Sequence, residues 1–476
     1  MMRNKRTIQV IALVLAILLV GGTVIGALFA ALAEENPPER NSYAISMEYL
    51  EDEQALHIGQ RLVYVNNSPD RLDRVLFCAA PNMFRRESAL MYENDDLEAV
   101  FPAGYAPGGI DLRAVRVDGA AAEYGFQGED ETVMRVACDL APGQSAAFEF
   151  DYYLLLTACN AFIGVGDTDA RLGAFYFIPG VYDAAAQDFI LKKPLPFTRW
   201  LYAEAGDYAI DLKLPEGYDA ALSATQNVRE FALCFGRRYR RTERRTASGV
   251  QVTVYSRRRD AGRAADMAVR TVEQCEAWFG PFPYHEMRVA ESDTPLGSLN
   301  YPGLVLIRDI TDEMALRFCV AQQYFGMAAY AEPSADAWLS DAVSNYVSYL
   351  MLEDADGHDA FVKAINRDWV GALQLTIPGG LRVTSDAALF TAKHYDIVVK
   401  IRGAVVLHEL REAMGLEDLL KGLRAFYELG RDGRTLTEGD FVDCMDAVTG
   451  RSWRDFLTDW VFNVGDYVNQ PIDWLQ

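Results

Sequence analysis

Residues 297–303 read Gly-Ser-Leu-Asn-Tyr-Pro-Gly, residues 318–326 read Phe-Cys-Val-Ala-Gln-Gln-Tyr-Phe-Gly, and residues 338–350 read Trp-Leu-Ser-Asp-Ala-Val-Ser-Asn-Tyr-Val-Ser-Tyr-Leu. The first stretch turns at Pro302 into a short apolar strand, 303–307, and the second lies within a helical pattern over 311–330. The third opens a helix over 334–352, because Trp338, Ala342, Tyr346 and Leu350 recur every four positions and mark one buried face. Around this center the periodicity is helical: 263–279, stopped by Gly280-Pro281, then 394–413, 416–429 and 438–447. Upstream of about residue 260 the pattern changes to period two. Phe148, Phe150, Tyr152 and Leu154 alternate with Glu149, Asp151 and Tyr153, and Tyr208 to Leu214 and Val250 to Val254 do the same. The expectation is an α+β chain, with a mostly antiparallel β domain over 34–260 and a mainly helical domain over 261–476.

The chain has 476 residues, 50% of them apolar and 24% charged, which suits globular domains and excludes a disordered or fibrous protein. With 45 basic and 68 acidic residues the formal charge is −23, so nucleic acid is not an expected partner. Arg3, Lys5 and Arg6 precede an uncharged run of 26 residues, Ile8 to Ala33, which Glu34 and Glu35 follow. That run exceeds the roughly 20 residues needed to span a bilayer, and the flanking charges leave 1–7 in the cytoplasm and the body outside. The expectation is a single-pass anchor at 8–33, so the membrane is a partner. The rival is a signal peptide cleaved after Ala31-Leu32-Ala33. Cys78, Cys138, Cys159, Cys234, Cys275, Cys319 and Cys444 show no metal-type spacing and no disulfide framework. Arginines crowd positions 237–245 and 257–259, read as solvated strand faces or as a surface for an anionic partner.

Taken together, in this order, the three opening stretches resemble the membrane alanyl aminopeptidases, the gluzincin zinc metallopeptidase family. Its GAMEN or GGMEYPG motif corresponds to Gly297–Gly303, its HExxHQWFG zinc motif to Phe318–Gly326, and its WLNEGFA-YxEYL motif to Trp338–Leu350. Nineteen positions separate Gln322 from Asp341, the interval between the family's second zinc histidine and its zinc glutamate. Gly280–Tyr284 and Arg402–Leu407 match further, as do Tyr64–Asn67 and Tyr208–Pro215 in the β half. The resemblance covers about 43–462 and implies a β saddle domain followed by a thermolysin-like, mainly α-helical catalytic-type domain, behind the one transmembrane helix.

The same resemblance implies that the chemistry has changed. The family's metal positions are Phe318, Gln322 and Asp341, and only the last is a credible zinc ligand. The general-base position is Cys319, and the position that grips the substrate's amine is Asn300. The tyrosine that stabilizes the tetrahedral intermediate aligns with Lys400, with Tyr395 five residues earlier. Cys319 and Lys400 are therefore degenerate catalytic positions, Asn300, Tyr301 and Tyr395 are expected to line the substrate cleft, and no cofactor is expected because the zinc ligands are not retained. His285-Glu286 lacks the second histidine of a zinc helix, while His408 and Glu412, one turn apart, read as a metal pair or a polar helix face. Lys400 is expected to pair with Asp341 across the former metal position. The favored reading is a pseudo-peptidase that binds a peptide or protein terminus without cleaving it. Its alternatives are an active metallopeptidase with atypical ligands and a structural, complex-organizing surface protein.

Overall fold

The computed structural model describes residues 40–458, apart from 88–89, 91–93, 196, 199, 259–260, 295–296, 376 and 378–379. The expected anchor at 8–33 and Arg259 lie outside the described residues. Among the described residues no helix is long and apolar enough to cross a membrane.

The β half forms as its alternation dictates. Strand Ser145–Leu155 is central to a six-stranded sheet, between Ala55–Val65 and Gly109–Val117. Phe148, Phe150, Tyr152 and Leu154 are all buried, and their pleat partners Glu149, Asp151 and Tyr153 face outward in part. Phe77, from a second sheet, packs against Phe148 and Phe150 with ring centroids 5.3 and 5.1 Å apart, so the two inner faces share one core. Asn41–Leu50 pairs antiparallel with Ala55–Val65 and parallel with Gly206–Lys213 at the edge. A third, four-stranded sheet contains Asp169–Leu172 and Leu233–Arg237.

A five-stranded sheet follows in the order Arg240–Arg245, Gln251–Ser256, Glu286–Glu291, Leu304–Ile307, Ser298–Tyr301. Its chain path crosses residue 260, so the strands at 240–256 share a sheet with 286–307. Period-two alternation shows that a segment is a strand but not which sheet it joins. The hairpin turn between Tyr301 and Leu304 is Pro302-Gly303, with Gly303 at φ 67°, the left-handed position that favors glycine after a proline.

Helices pack against this sheet. Ala261–Phe279 stops at Gly280, φ 102°, and Ala337–Asp356 buries Trp338, Ala342, Tyr346 and Leu350 as the four-residue spacing requires. Gly403 packs against Ala342, and a Cβ there would meet the alanine methyl at 2.5 Å. Two expected helices are interrupted. Glu313–Gln322 widens into a π-helical turn at Gln323–Ala328, and Ala392–Tyr395 continues as a π-helical stretch, Asp396–Arg402, before Gly403–Met414. Helix His358–Asp368, entered through Gly357 at φ 88°, was not anticipated from the sequence.

The two halves are joined by a buried ionic cluster. Asp169 and Arg171, both with fully buried side chains, pair at 2.6 Å. Asp169 also accepts from Cys234 Sγ, Ser292 Oγ and the Asp293 backbone N–H, and Arg171 donates to the carbonyls of Ala161 and Cys159. Ser292 and Asp293 lead into the strand Ser298–Tyr301, so a β-domain carboxylate holds the entry to that strand. Replacing Arg171 by Met is expected to strand a buried carboxylate and to cost about 3–5 kcal/mol. Thermal unfolding of the full-length protein measures this, and an unchanged midpoint would show that the pair is not structural.

Candidate functional site

The segments quoted first meet at one cavity of about 470 Å³ between the β domain and the helices. Strand Ser298–Tyr301 supplies Asn300 and Tyr301, helix Glu313–Gln322 supplies Phe318 and Gln322, and helix Ala337–Asp356 supplies Asp341. Lys400 comes from the π-helical stretch, where Asn345 Nδ2 caps its carbonyl at 3.0 Å. Tyr301 approaches the β domain closely, and a Cβ on Gly173 would lie 2.1 Å from its hydroxyl.

Asp341 is the center of the polar network. It is 5% exposed, and its Oδ1 accepts from Gln322 Nε2 at 2.8 Å while Oδ2 accepts from the Tyr395 hydroxyl at 2.8 Å. Ser340 Oγ and Thr198 Oγ1 approach the same carboxylate at 3.4 Å each. The Tyr395 hydroxyl and Thr198 Oγ1 lie 2.7 Å apart, and burial together with Asp341 pushes the phenol's pKa well above its ordinary value. Tyr395 therefore stays a donor. Gln322 is itself satisfied, its Oε1 accepting from Ser340 Oγ at 3.2 Å. Gly326 makes room for that amide, because a Cβ there would lie 2.2 Å from Gln322 Oε1.

Lys400 is where sequence expectation fails. Its Nζ pairs with Asp396 Oδ1 at 2.6 Å, one helical turn earlier on the same segment, rather than with Asp341. The local partner wins because it shares a backbone with the lysine, so little extra chain order is needed to hold the pair. Burial lowers the Lys400 pKa, but the Asp396 and Asp341 carboxylates together raise it above its ordinary value, so the side chain is an ammonium. Cys319 is wholly buried, and burial pushes its thiol up to about 12, beside Ser298 and Asn300. A neutral buried thiol is neither a base nor a metal ligand.

These residues do not fit zinc. Phe318 has no lone pair, the Gln322 amide turns its N–H toward Asp341, and both oxygens of Asp341 are taken by neutral donors. Among the described residues no group of three or more His, Cys, Asp or Glu side chains is placed to hold a metal ion. The cavity's neighbors from the β domain, Phe197, Thr198 and Trp200, were missed by the sequence reading. They lie on an irregular connection without periodicity, and nothing in the residues alone marks them.

No family model matches the chain. The solved M1 zinc metallopeptidase of Deinococcus radiodurans superposes on 92% of this chain and 98% of its own, with TM-score 0.63 at 16% identity. A mutant form of that enzyme bound to a Tyr-Ser-Ala substrate matches equally, with TM-score 0.63 and 15% identity. The fold is therefore that of the M1 metallopeptidases. Aminopeptidase N of Lactococcus lactis subsp. lactis is 22% identical over 381 residues, 72% of this chain and 40% of the relative. Aminopeptidase N of Lactobacillus delbrueckii subsp. lactis is 23% identical over 251 residues, 46% of this chain and 29% of the relative. The chain spans less than half the length of these relatives. The fold and these sequence relatives together support a place among the M1 gluzincin aminopeptidases.

His408, half of the second metal candidate, is buried, with Nδ1 3.1 Å from the Tyr346 hydroxyl, while Glu412 is exposed. Burial, then the nearby Arg411 cation, lowers its pKa to about 4, against the opposing pull of Glu353. The unfolded chain protonates first as pH falls, so stability is full above about pH 7 and declines from about 6.5 toward 4. The decline contributed by this group is about 3 kcal/mol at most. In His408→Gln the fall in melting temperature between pH 7 and 5 is expected to be smaller than in the parent. Equal slopes would mean that His408 is not held neutral.

Proposed function

We propose that the protein is a membrane-anchored, extracytoplasmic pseudo-peptidase that holds a peptide or protein terminus in the cavity without cleaving it. The hydrogen bond from Gln322 to Asp341 carries this reading, because it occupies the two polar family metal positions with each other. In the family, zinc lowers the pKa of bound water and polarizes the scissile carbonyl, and here no residue set supplies that role. What remains is recognition. Lys400 is a charged donor rather than a nucleophile, Tyr395 is committed to Asp341 and Thr198, and Tyr301 and Phe318 form the walls. The peptide character of the ligand draws support from the Tyr-Ser-Ala substrate bound to the Deinococcus relative. The anchor rests on the apolar run Ile8–Ala33, with basic residues before it and acidic residues after it.

Elemental analysis after dialysis against micromolar zinc is expected to find far less than one zinc per chain, with no hydrolysis across a panel of aminoacyl amides. Phe318→His alone is expected to change neither, since Gln322 still occupies the second ligand position. Near one zinc per chain, with turnover abolished by a chelator, would instead establish an active metallopeptidase. For topology, protease added to intact cells is expected to reach everything from Glu34 onward while residues 8–33 remain attached. A mature N-terminus at Glu34 would show a cleaved signal peptide.

A further inference from the structure

The cavity has lost the acid that selects a free amine, and its remaining carboxylates are occupied. Position 300 carries a neutral amide, whose Nδ2 lies 3.5 Å from Ser298 Oγ while Oδ1 is shielded from solvent without a partner. Among the described residues, four carboxylates reach the wall: Glu230, Asp341, Asp368 and Asp396. Asp341 receives Gln322 and Tyr395, and Asp396 is paired with Lys400. Asp368 accepts from Arg367 and Tyr349, and Glu230 is buried and engaged within the protein. Where the family places its first metal ligand there is the apolar ring of Phe318.

An ammonium entering this cavity loses its hydration, finds these four carboxylates already engaged, and meets the Lys400 cation. An acylated amide meets the opposite conditions. Its carbonyl accepts from the Lys400 ammonium in a charge-assisted bond. Its N–H can be met by the Asn300 amide, whose terminal torsion is soft enough to turn Oδ1 toward the cavity. The acyl group packs beside Phe318, Leu299 and Met314, which line the same wall.

We propose that the cavity selects a peptide end without a free ammonium, an N-acylated terminus held by Asn300 and Lys400; the inference rests on the peptide-binding reading above. The test is calorimetric binding of one apolar tripeptide amide to the purified full-length protein in three forms: free amine, N-acetylated, and extended at its N-terminus by polar residues. The acetylated form is expected to bind about tenfold or more tighter than the free amine, roughly 1.4 kcal/mol, and tighter than the extended form. Lys400→Met is expected to weaken the acetylated peptide severalfold and to narrow the gap, and Asn300→Asp to favor the free amine. Circular dichroism of each variant separates this from unfolding. Equal or tighter binding of the free amine overturns the inference while leaving peptide binding intact. Equal binding of the extended peptide overturns the terminal assignment. Binding of none of the three forms overturns the peptide-binding reading itself, and this inference with it.

Discussion

The buried pair of Asp169 and Arg171 fixes how the two halves of the molecule meet. A charge moved from water into a protein interior costs several kcal/mol unless it is paired and its remaining hydrogen-bonding capacity is filled. Both conditions hold here, since the carboxylate is met by Arg171, Cys234, Ser292 and the Asp293 N–H, and the guanidinium by two backbone carbonyls. Two of those donors belong to the approach to strand Ser298–Tyr301, so the charge cannot be satisfied unless that strand sits against the β domain. Arg229 repeats the device, stacking over the Tyr330 ring at 4.0 Å while donating to the carbonyls of Ala203 and Gly433. The cavity is a consequence of this docking. One wall comes from Phe197, Thr198 and Trp200 and another from Asn300 and Tyr301, and neither forms it alone.

Within the cavity, the carboxylate of Asp341, which aligns with the family's zinc glutamate, is met by neutral donors. A buried carboxylate without a cation beside it is destabilized unless other donors meet it. Gln322 and Tyr395 do so for Asp341, and both interactions depend on retained small residues. Gly326 leaves space for the amide, and Gly403 lets the helix that follows Lys400 lie against Ala342. The scaffold motifs therefore do more than mark ancestry. They hold the geometry in which a neutral network fits at the positions that align with the family's metal ligands.

Much of this was legible in the residues. Period two gave two strands of the six-stranded sheet, Ser145–Leu155 and Gly206–Lys213, four-residue spacing gave the buried face of Ala337–Asp356, and Pro302-Gly303 specified its turn. The nineteen-position interval from Gln322 to Asp341 served only to align the two motifs; that their side chains bond to each other at 2.8 Å is visible in the structure alone. Other features depend on contacts that sequence does not display. Lys400 had two acids within reach, and the choice of Asp396 is set by local helical geometry rather than by the family alignment. Thr198 joins Tyr395 from an irregular connection, and the sheet that crosses residue 260 is decided by pairing partners. The two π-helical turns are invisible to a periodicity of 3.6, yet both lie at the site, and in one of them the Lys400 carbonyl accepts from Asn345 Nδ2 as well as from the Gly403 N–H.

A protein that had lost only its metal would have no physical reason to keep an open cavity beside the former site. Filling it with larger side chains would bury apolar surface and gain stability, since well-packed interiors are favored over open ones. The opposite arrangement is present. Phe318 and Gln322 close the metal position itself, whereas the adjoining 470 Å³ stays open, with Lys400 partly exposed on its wall. Closure is thus confined to the positions that align with the family's metal site, and the adjoining space stays open. That division favors a binding role over a purely structural one. It also locates the basis of any ligand preference in the charges that line the open space, Lys400 and the carboxylates of Glu230, Asp341, Asp368 and Asp396.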